Sequence, residues 1–453
     1  MIIAVICATL AASVRLLLLQ VYGPVAYSDT PSYRRLAEAV LNGFQRYDGT
    51  RTPGYPIFLA LVGGDQQVYI VQLMLGFLTT LLLFWIGWRL TQNAWVAGAM
   101  GLAHSLNLGQ LFFEANLLTE TLSTFFLVLA MAGMLLHLTR RKQTRVWLAA
   151  GIGLAASLAA LTRPVFIYLP FWLGIIAIVY LAHPTSETQP SGVTTQSPIN
   201  TWWRGIFTRR ALLTGTVLLV PAVLILGSWV WFIHTRYHMW SLSTMTGYHM
   251  IQHTGNFFEY LPDDYADLRD TYLEFRQAHI AEYGTQTNTI WEAIPAMQKV
   301  SGLTFYDLSR TLSKLSGWLI LHHPGLYLSN VIKGWWLFWR APVYWQPDAF
   351  DWQILAKIAQ PVVLVERGLL FAANLVFVLT SLPVLWIKRL MPAEIGRRVF
   401  IWCLVGTVWI GSILQSLVDH GDNPRFLVPM QSLVVLWFFW LAYQIWHFIR
   451  KEK

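Results

Sequence analysis

The feature that most constrains this chain is a succession of apolar runs, each long enough to cross a bilayer. They fall near 2–21, 67–88, 94–110, 117–138, 147–162, 165–182, 211–233, 364–387, 399–418 and 426–449. A helix needs roughly 17–25 apolar residues to traverse the hydrocarbon layer. Within lipid every backbone N–H and C=O must be satisfied inside the segment, which favours helices over open sheets. The expectation is an all-α polytopic membrane protein with about ten transmembrane helices. Composition agrees: only 12% of residues are charged, about half the share in an ordinary globular chain. The first run lacks a basic leader, carries Arg15 within it and has no convincing small-residue cleavage site. It reads as a membrane helix rather than a signal peptide. Cys7 and Cys403 lie inside apolar runs without metal-ligand spacing, which argues against disulfide and zinc chemistry.

A net charge of +9 would suit a nucleic-acid binder, but the basic residues are not spread over a face. They sit in alternate short loops: Arg89; Arg140, Arg141, Lys142 and Arg145; Arg204, Arg209 and Arg210; Lys388, Arg389, Arg397 and Arg398; Arg450, Lys451 and Lys453. By the positive-inside rule these loops and both termini are cytoplasmic; membrane lipids are expected partners, nucleic acid is not. Two long segments are then outside. The chain divides into an N-terminal transmembrane module, 1–233, with a first outer loop at 22–66, an outer-face helical region at 234–363, and C-terminal membrane helices at 364–453. The Ser/Thr/Pro-rich stretch 183–200 reads as a disordered cytoplasmic linker. The localisation expected is a plasma (inner) membrane, multi-pass, with the functional face toward the periplasm or exterior.

The ionisable residues left unexplained all fall on that outer side: Asp29, Arg51, Glu114, Glu120, Arg163, Arg236, Asp419, His420, Asp422 and Arg425. Such groups near a bilayer pair, line a wet cavity or act chemically. Each also has a plainer explanation. Asp29 precedes a helix start in which Thr30 is a good N-cap and Pro31 the first helical residue, so its carboxylate could simply favour the helix dipole. Glu120 follows a capping Thr119. Arg163 and Arg425 could be interface anchors, and His420 a loop histidine. A transporter or flippase is the alternative function; it would show matched halves and polar sites at mid-depth, whereas one-sided clustering favours chemistry at the surface.

Several stretches, in order, resemble the polytopic glycosyltransferases with the GT-C fold, in the protein-mannosyltransferase and aminoarabinose-transferase-like branch. They are YSDTPSYRRLAEAVLNG after the first membrane helix, RTPGYPIFLALV, NLLTETLSTFFLVLA, LTRP after the fifth, WVWFIHTRYHMW, HHPGLYLSNVIKGWWLFW, and NPRFLVPM at the last. The resemblance implies transfer of a sugar from a polyprenyl-phosphate donor to an acceptor glycan, lipid or protein at the outer face. It implies Asp29 as catalytic base, with Glu120 or Glu114 as the second acid. That chemistry needs guanidiniums aimed at the departing phosphate. Arg163 and Arg425 are first in rank, and Arg51, Tyr55, Arg236 and His420 are further substrate-binding candidates. Attack opposite the phosphate would invert the anomeric centre. A divalent cation is left open as a cofactor, since the outer acids and His420 could form a ligand set and members of the family differ in metal dependence.

Overall fold

A computed structural model describes residues 1–140, 146–182, 208–341, 343–418 and 424–451. Among them there are helices and no strand. The first half runs α1 (Ile2–Val21), α2 (Thr30–Leu41), α3 (Gly54–Val62), α4 (Asp65–Thr91), α5 (Ala94–Ser105), α6 (Leu108–Ala115), α7 (Glu120–Thr139), α8 (Val146–Thr162), α9 (Tyr168–Ala182) and α10 (Arg209–Tyr237). The second half runs α11 (Thr246–Thr254), α12 (Ala266–Tyr283), α13 (Thr289–Ser301), α14 (Phe305–His322), α15 (Pro324–Phe338), α16 (Gln353–Trp386), α17 (Ile395–Val418) and α18 (Val428–Lys451). Eight helical segments among the described residues are long and apolar enough to cross a membrane, and the 17-residue α8 is apolar but shorter. The protein is therefore a multi-pass membrane protein. The linker expected at 183–200 lies outside the described residues.

Local chemistry explains where helices stop. The third apolar run does not continue unbroken: it divides at Leu106–Asn107, and the Asn107 side chain accepts from the Gln110 N–H to restart the chain as α6. An Asn competes with helix propagation because its side chain can satisfy nearby backbone donors. Asn93 does the same for α5, accepting from the N–H groups of Trp95 and Val96. At the far end of α4, Gln92 takes a left-handed conformation that ends the helix.

The main core is formed by α7, α8, α9, α10, α17 and α18, and contains the fully buried Trp437 and Trp440. Helices α8 and α10 approach closely at Gly153, where an added Cβ would lie 1.9 Å from the Leu218 carbonyl oxygen. The region between α10 and α16 has its own core of Tyr248, Ile251, Phe258, Leu308 and Leu312. It joins the bundle through α15, whose Tyr327 hydroxyl donates to the Leu417 carbonyl.

Successive spans reverse direction, so the end of α1, the start of α7, the end of α8, the end of α17 and the start of α18 meet at one end of the bundle. The loop after α1 is pinned there. Leu117 N–H donates to the Val25 carbonyl at 2.9 Å, and the Thr30 hydroxyl donates to the Leu117 carbonyl at 3.1 Å. The 22–30 segment is thus tied to the α6–α7 turn before α2 begins.

Candidate active site

That end of the bundle holds a cavity of about 840 Å³, within the size range of small-molecule sites. Asp29 lines it from the start of α2. The helix begins at Thr30, with Asp29 in the N-cap position and its side chain making no capping bond. The carboxylate is turned to two guanidiniums instead: Arg51 donates to Oδ1 at 2.7 Å and Arg425 to Oδ2 at 2.5 Å. Helix capping therefore does not explain this acid. Burial pushes the Asp29 carboxyl up, but Arg51 and Arg425, with Arg163 further off, outweigh it and hold the group below the ordinary carboxylate range.

Glu120 opens α7 and is 1% exposed. It does not cap its helix either: Arg163 donates to Oε1 at 2.6 Å, and Arg425 Nε lies 3.7 Å from the same oxygen. Arg51, Asp29, Arg425, Glu120 and Arg163 thus form one continuous chain of alternating charge, drawn from five separate stretches of sequence. Arg163 is 6% exposed, so it does not snorkel to an interface. It follows the C-terminus of α8, where Pro164 ends helical hydrogen bonding, and its guanidinium stacks 4.9 Å from the Phe426 ring centroid. Arg425 lies in the single turn that precedes α18. Arg51 sits before α3, its carbonyl accepting from the Tyr47 hydroxyl and its guanidinium 5.6 Å from the Tyr33 ring centroid. The start of α3 is set by Gly54, where an added Cβ would lie 2.6 Å from the Leu161 carbonyl oxygen. That contact fixes the Arg51 loop against the end of α8, next to Arg163.

Other sequence candidates stand elsewhere. Glu114 does not line the cavity. Its carboxylate takes two bonds from Arg15, Nε to Oε2 at 2.8 Å and Nη2 to Oε1 at 2.6 Å, inside the bundle. The fit is tight against Gly76, where an added Cβ would lie 2.0 Å from Glu114 Oε1. The Tyr55 hydroxyl donates to Gln72 Oε1 at 3.0 Å beneath Tyr33, one layer behind the cavity wall. Arg236 is exposed and donates to the Phe44 carbonyl. His420, with Asp419 and Asp422, lies outside the described residues. Among the described residues no three His, Cys, Asp or Glu side chains gather as a metal would require. Asp29 in the cavity wall and Glu120 buried behind it are both engaged by guanidiniums.

The rest of the lining was not legible in the sequence. From α11 to α13 the chain contributes Thr246, His249, Gln252, Thr287, Asn288 and Trp291, and no local motif marks them. Tyr344, before α16, closes the cavity beside the arginines; burial raises its hydroxyl pKa.

No protein-family model matches the chain, and no curated protein does. Among solved structures the chain is similar to ArnT from Cupriavidus metallidurans bound to undecaprenyl phosphate, at 15% identity and a TM-score of 0.36, over 95% of this chain and 76% of that one. It is similar also to the apo state of ArnT from the same organism, at 13% identity and a TM-score of 0.37, over 92% of this chain and 77% of that one.

Proposed function

We propose that the protein is a GT-C-type glycosyltransferase that moves a sugar from a polyprenyl-phosphate donor to an acceptor hydroxyl. The supporting observation is the chain Arg51–Asp29–Arg425–Glu120–Arg163 at the mouth of a large cavity, where spans meet. Three guanidiniums held by two carboxylates carry one surplus positive charge, and guanidinium matches phosphate oxygens geometrically. Among the described residues, Arg89, Arg209, Arg210, Arg397 and Arg398 lie at the opposite ends of the spans, which by the positive-inside rule supports a cavity that faces the exterior. A lipid tail entering between helices would bring its phosphate to that level.

In this reading Arg163 and Arg425 take the donor phosphate and stabilise the charge it gains on leaving. Asp29 is ionised at neutral pH and accepts the proton of the acceptor hydroxyl. The hydroxyl oxygen bonds to the anomeric carbon on the face opposite the breaking C–O bond, with inversion, and the lipid phosphate departs with the bonding pair. As Arg425 turns to the phosphate, Asp29 loses one counter-charge and its proton affinity rises, which suits a base in the course of reaction. Glu120, buried behind the lining, holds Arg163 in place. The region 234–363 forms the acceptor-side wall.

The test is reconstitution of the full chain in liposomes with a radiolabelled polyprenyl-phosphate sugar and a membrane-lipid or glycan acceptor. Turnover by the wild type and its loss in Asp29→Asn, with monodispersity retained, supports the assignment. Undiminished transfer in that variant refutes it.

A further inference from the structure

The stretch that leads into Arg51 has no helix or strand of its own. Within residues 43–49, Gly43 (φ +66°), Phe44 (φ +63°), Arg46 (φ +60°) and Gly49 (φ +69°) are left-handed. Glycine takes that conformation freely, whereas a Phe and an Arg take it against a steric cost. Strained backbone of this kind persists where its surroundings determine it, and it gathers at functional sites.

The surroundings here are one short segment, the end of α10 and the residues just after it. Arg236 donates to the Phe44 carbonyl at 3.1 Å, and the Tyr237 hydroxyl donates to the Tyr47 carbonyl. The Thr244 hydroxyl donates to the Asp48 carbonyl at 3.2 Å, and its N–H to the Gly49 carbonyl at 2.9 Å. The Ser243 hydroxyl donates to the Thr50 carbonyl at 2.9 Å. The strained loop thus presents its carbonyls to donors that all lie within 236–244. The contact is close: an added Cβ at Gly49 would lie 2.6 Å from the Ile233 side chain and 2.8 Å from that of Thr244. Tyr47 is fully buried, edge-on to Trp229 at 5.4 Å between centroids.

Arg51 follows directly. A guanidinium on a slack loop would have to lose backbone and side-chain freedom to grip Asp29; on this loop much of that freedom is already gone. The two guanidiniums on Asp29 therefore differ in kind. Arg425 also approaches Glu120 and, in the transferase reading, turns to the donor phosphate. Arg51 is set by its loop and remains.

We infer that Ser243 and Thr244 are positioning residues: through the strained loop they hold Arg51 on Asp29, keeping the base aimed while Arg425 changes partners. The inference rests on the transferase reading for what Asp29 does. Release of Arg51 has a signature that lost packing alone lacks. Burial pushes the Asp29 carboxyl up, and Arg51 is first among the guanidiniums that bring it down. The other described groups facing this site are Tyr33 on α2, Glu120 on α7, Arg163 after α8, Tyr344 before α16 and Arg425 before α18. All of them remain when 243–244 is altered. Loosening Arg51 should then raise the carboxyl, and transfer should fall as pH drops through the raised value.

The test compares the full-length wild type with Ser243→Ala and Thr244→Val, which lose a hydroxyl, and with Thr244→Ser, which keeps it. Hydrogen–deuterium exchange over 44–52 should quicken several-fold in the first two and not in the third. Transfer from a radiolabelled polyprenyl-phosphate sugar should gain, in the same two, an acid limb between about pH 5 and 7 that the wild type lacks. Arg51→Gln should produce that limb as well, and adding Ser243→Ala to it should move the limb no further. Unchanged exchange, or faster exchange with an unmoved pH profile, overturns the inference; wild-type turnover in that case leaves the transferase reading standing. If the wild type neither binds undecaprenyl phosphate nor turns over, that reading falls and stability decides the clamp. The gap between unfolding midpoints at about pH 7 and about pH 3 should be smaller in Ser243→Ala and Arg51→Gln than in the wild type, because a raised folded pKa leaves less stabilisation to lose on acidification. An equal gap overturns the clamp too.

Discussion

Glu114 offers the sharpest test of which acid does what. It and Glu120 both precede or open α7 in sequence, yet one pairs with Arg15 inside the bundle and the other with Arg163 at the cavity. Replacing Glu114 with Ala removes two charge-assisted bonds from a guanidinium that is 4% exposed and leaves it only the Ser105 hydroxyl and the Ala11 carbonyl. Counted as hydrogen bonds to a charged group, the loss is about 3–6 kcal/mol. Counted as a buried pair broken from one side, it is about 3–5 kcal/mol. The two routes agree, so Glu114→Ala should lower the unfolding midpoint in detergent by many degrees. The double variant Arg15→Met/Glu114→Leu removes both charges and should recover most of that loss, because no unpaired charge remains. The assay is a double-mutant cycle on thermal unfolding, with donor turnover measured per folded molecule. The reasoning is refuted if Glu114→Ala unfolds like the wild type, or if the recovered double variant is stable but has lost turnover. The latter would make Glu114 a chemical group.

Arg163→Lys keeps the charge but loses the planar fork, and should weaken undecaprenyl phosphate binding about tenfold or more by titration calorimetry. Gly54→Ala should destabilise the protein by about 1–3 kcal/mol through the Leu161 contact and displace Arg51, weakening donor binding as well. The Asp29 carboxyl is depressed, so its stabilising contribution is complete above its unfolded pKa, near 3.9, and is lost as pH falls through the lower folded value. Transfer should therefore show no acid limb from Asp29 between about pH 5 and 7, and Asp29→Asn should leave stability in that window more reduced than stability at about pH 3, as chemical unfolding at the two pH values would show.

The fold was legible because apolar run length is a direct signal of crossing helices, and ten runs map onto helical segments. The break at Asn107 was less legible: its apolar neighbours carried the run past a single capping side chain. Among candidate site residues, Asp29, Glu120, Arg51, Arg163 and Arg425 drew attention as costly ionisable groups on one side; four of them line one cavity, and Glu120 is buried behind it, paired with Arg163. Glu114 met the same criterion, yet its partner Arg15 lies 99 positions earlier in an apolar helix. Spacing along the chain carries no record of that pairing. Gln252, Asn288 and Trp291 escaped notice because neutral amides and one tryptophan are ordinary in a helical region outside the long apolar runs.

The ion chain also explains how such a site can exist before any ligand arrives. Arg51, Arg163 and Arg425 would repel one another in a partly desolvated pocket, and like charges so placed cost several kcal/mol at low effective dielectric. Asp29 and Glu120, each touching guanidiniums from two directions, offset that repulsion in the free protein. A phosphate entering the cavity supplies the same negative charge. In the proposed transfer, that would release the carboxylates from their role as counter-ions at the moment a base is needed. On this view Glu120→Gln should act in two opposed ways. It should destabilise the free protein, because Arg163 loses its partner, yet the loss should shrink when undecaprenyl phosphate is bound and takes over the pairing. Thermal unfolding of wild type and variant with and without that lipid measures the difference directly. An equal loss in both states would show that phosphate does not reach Arg163.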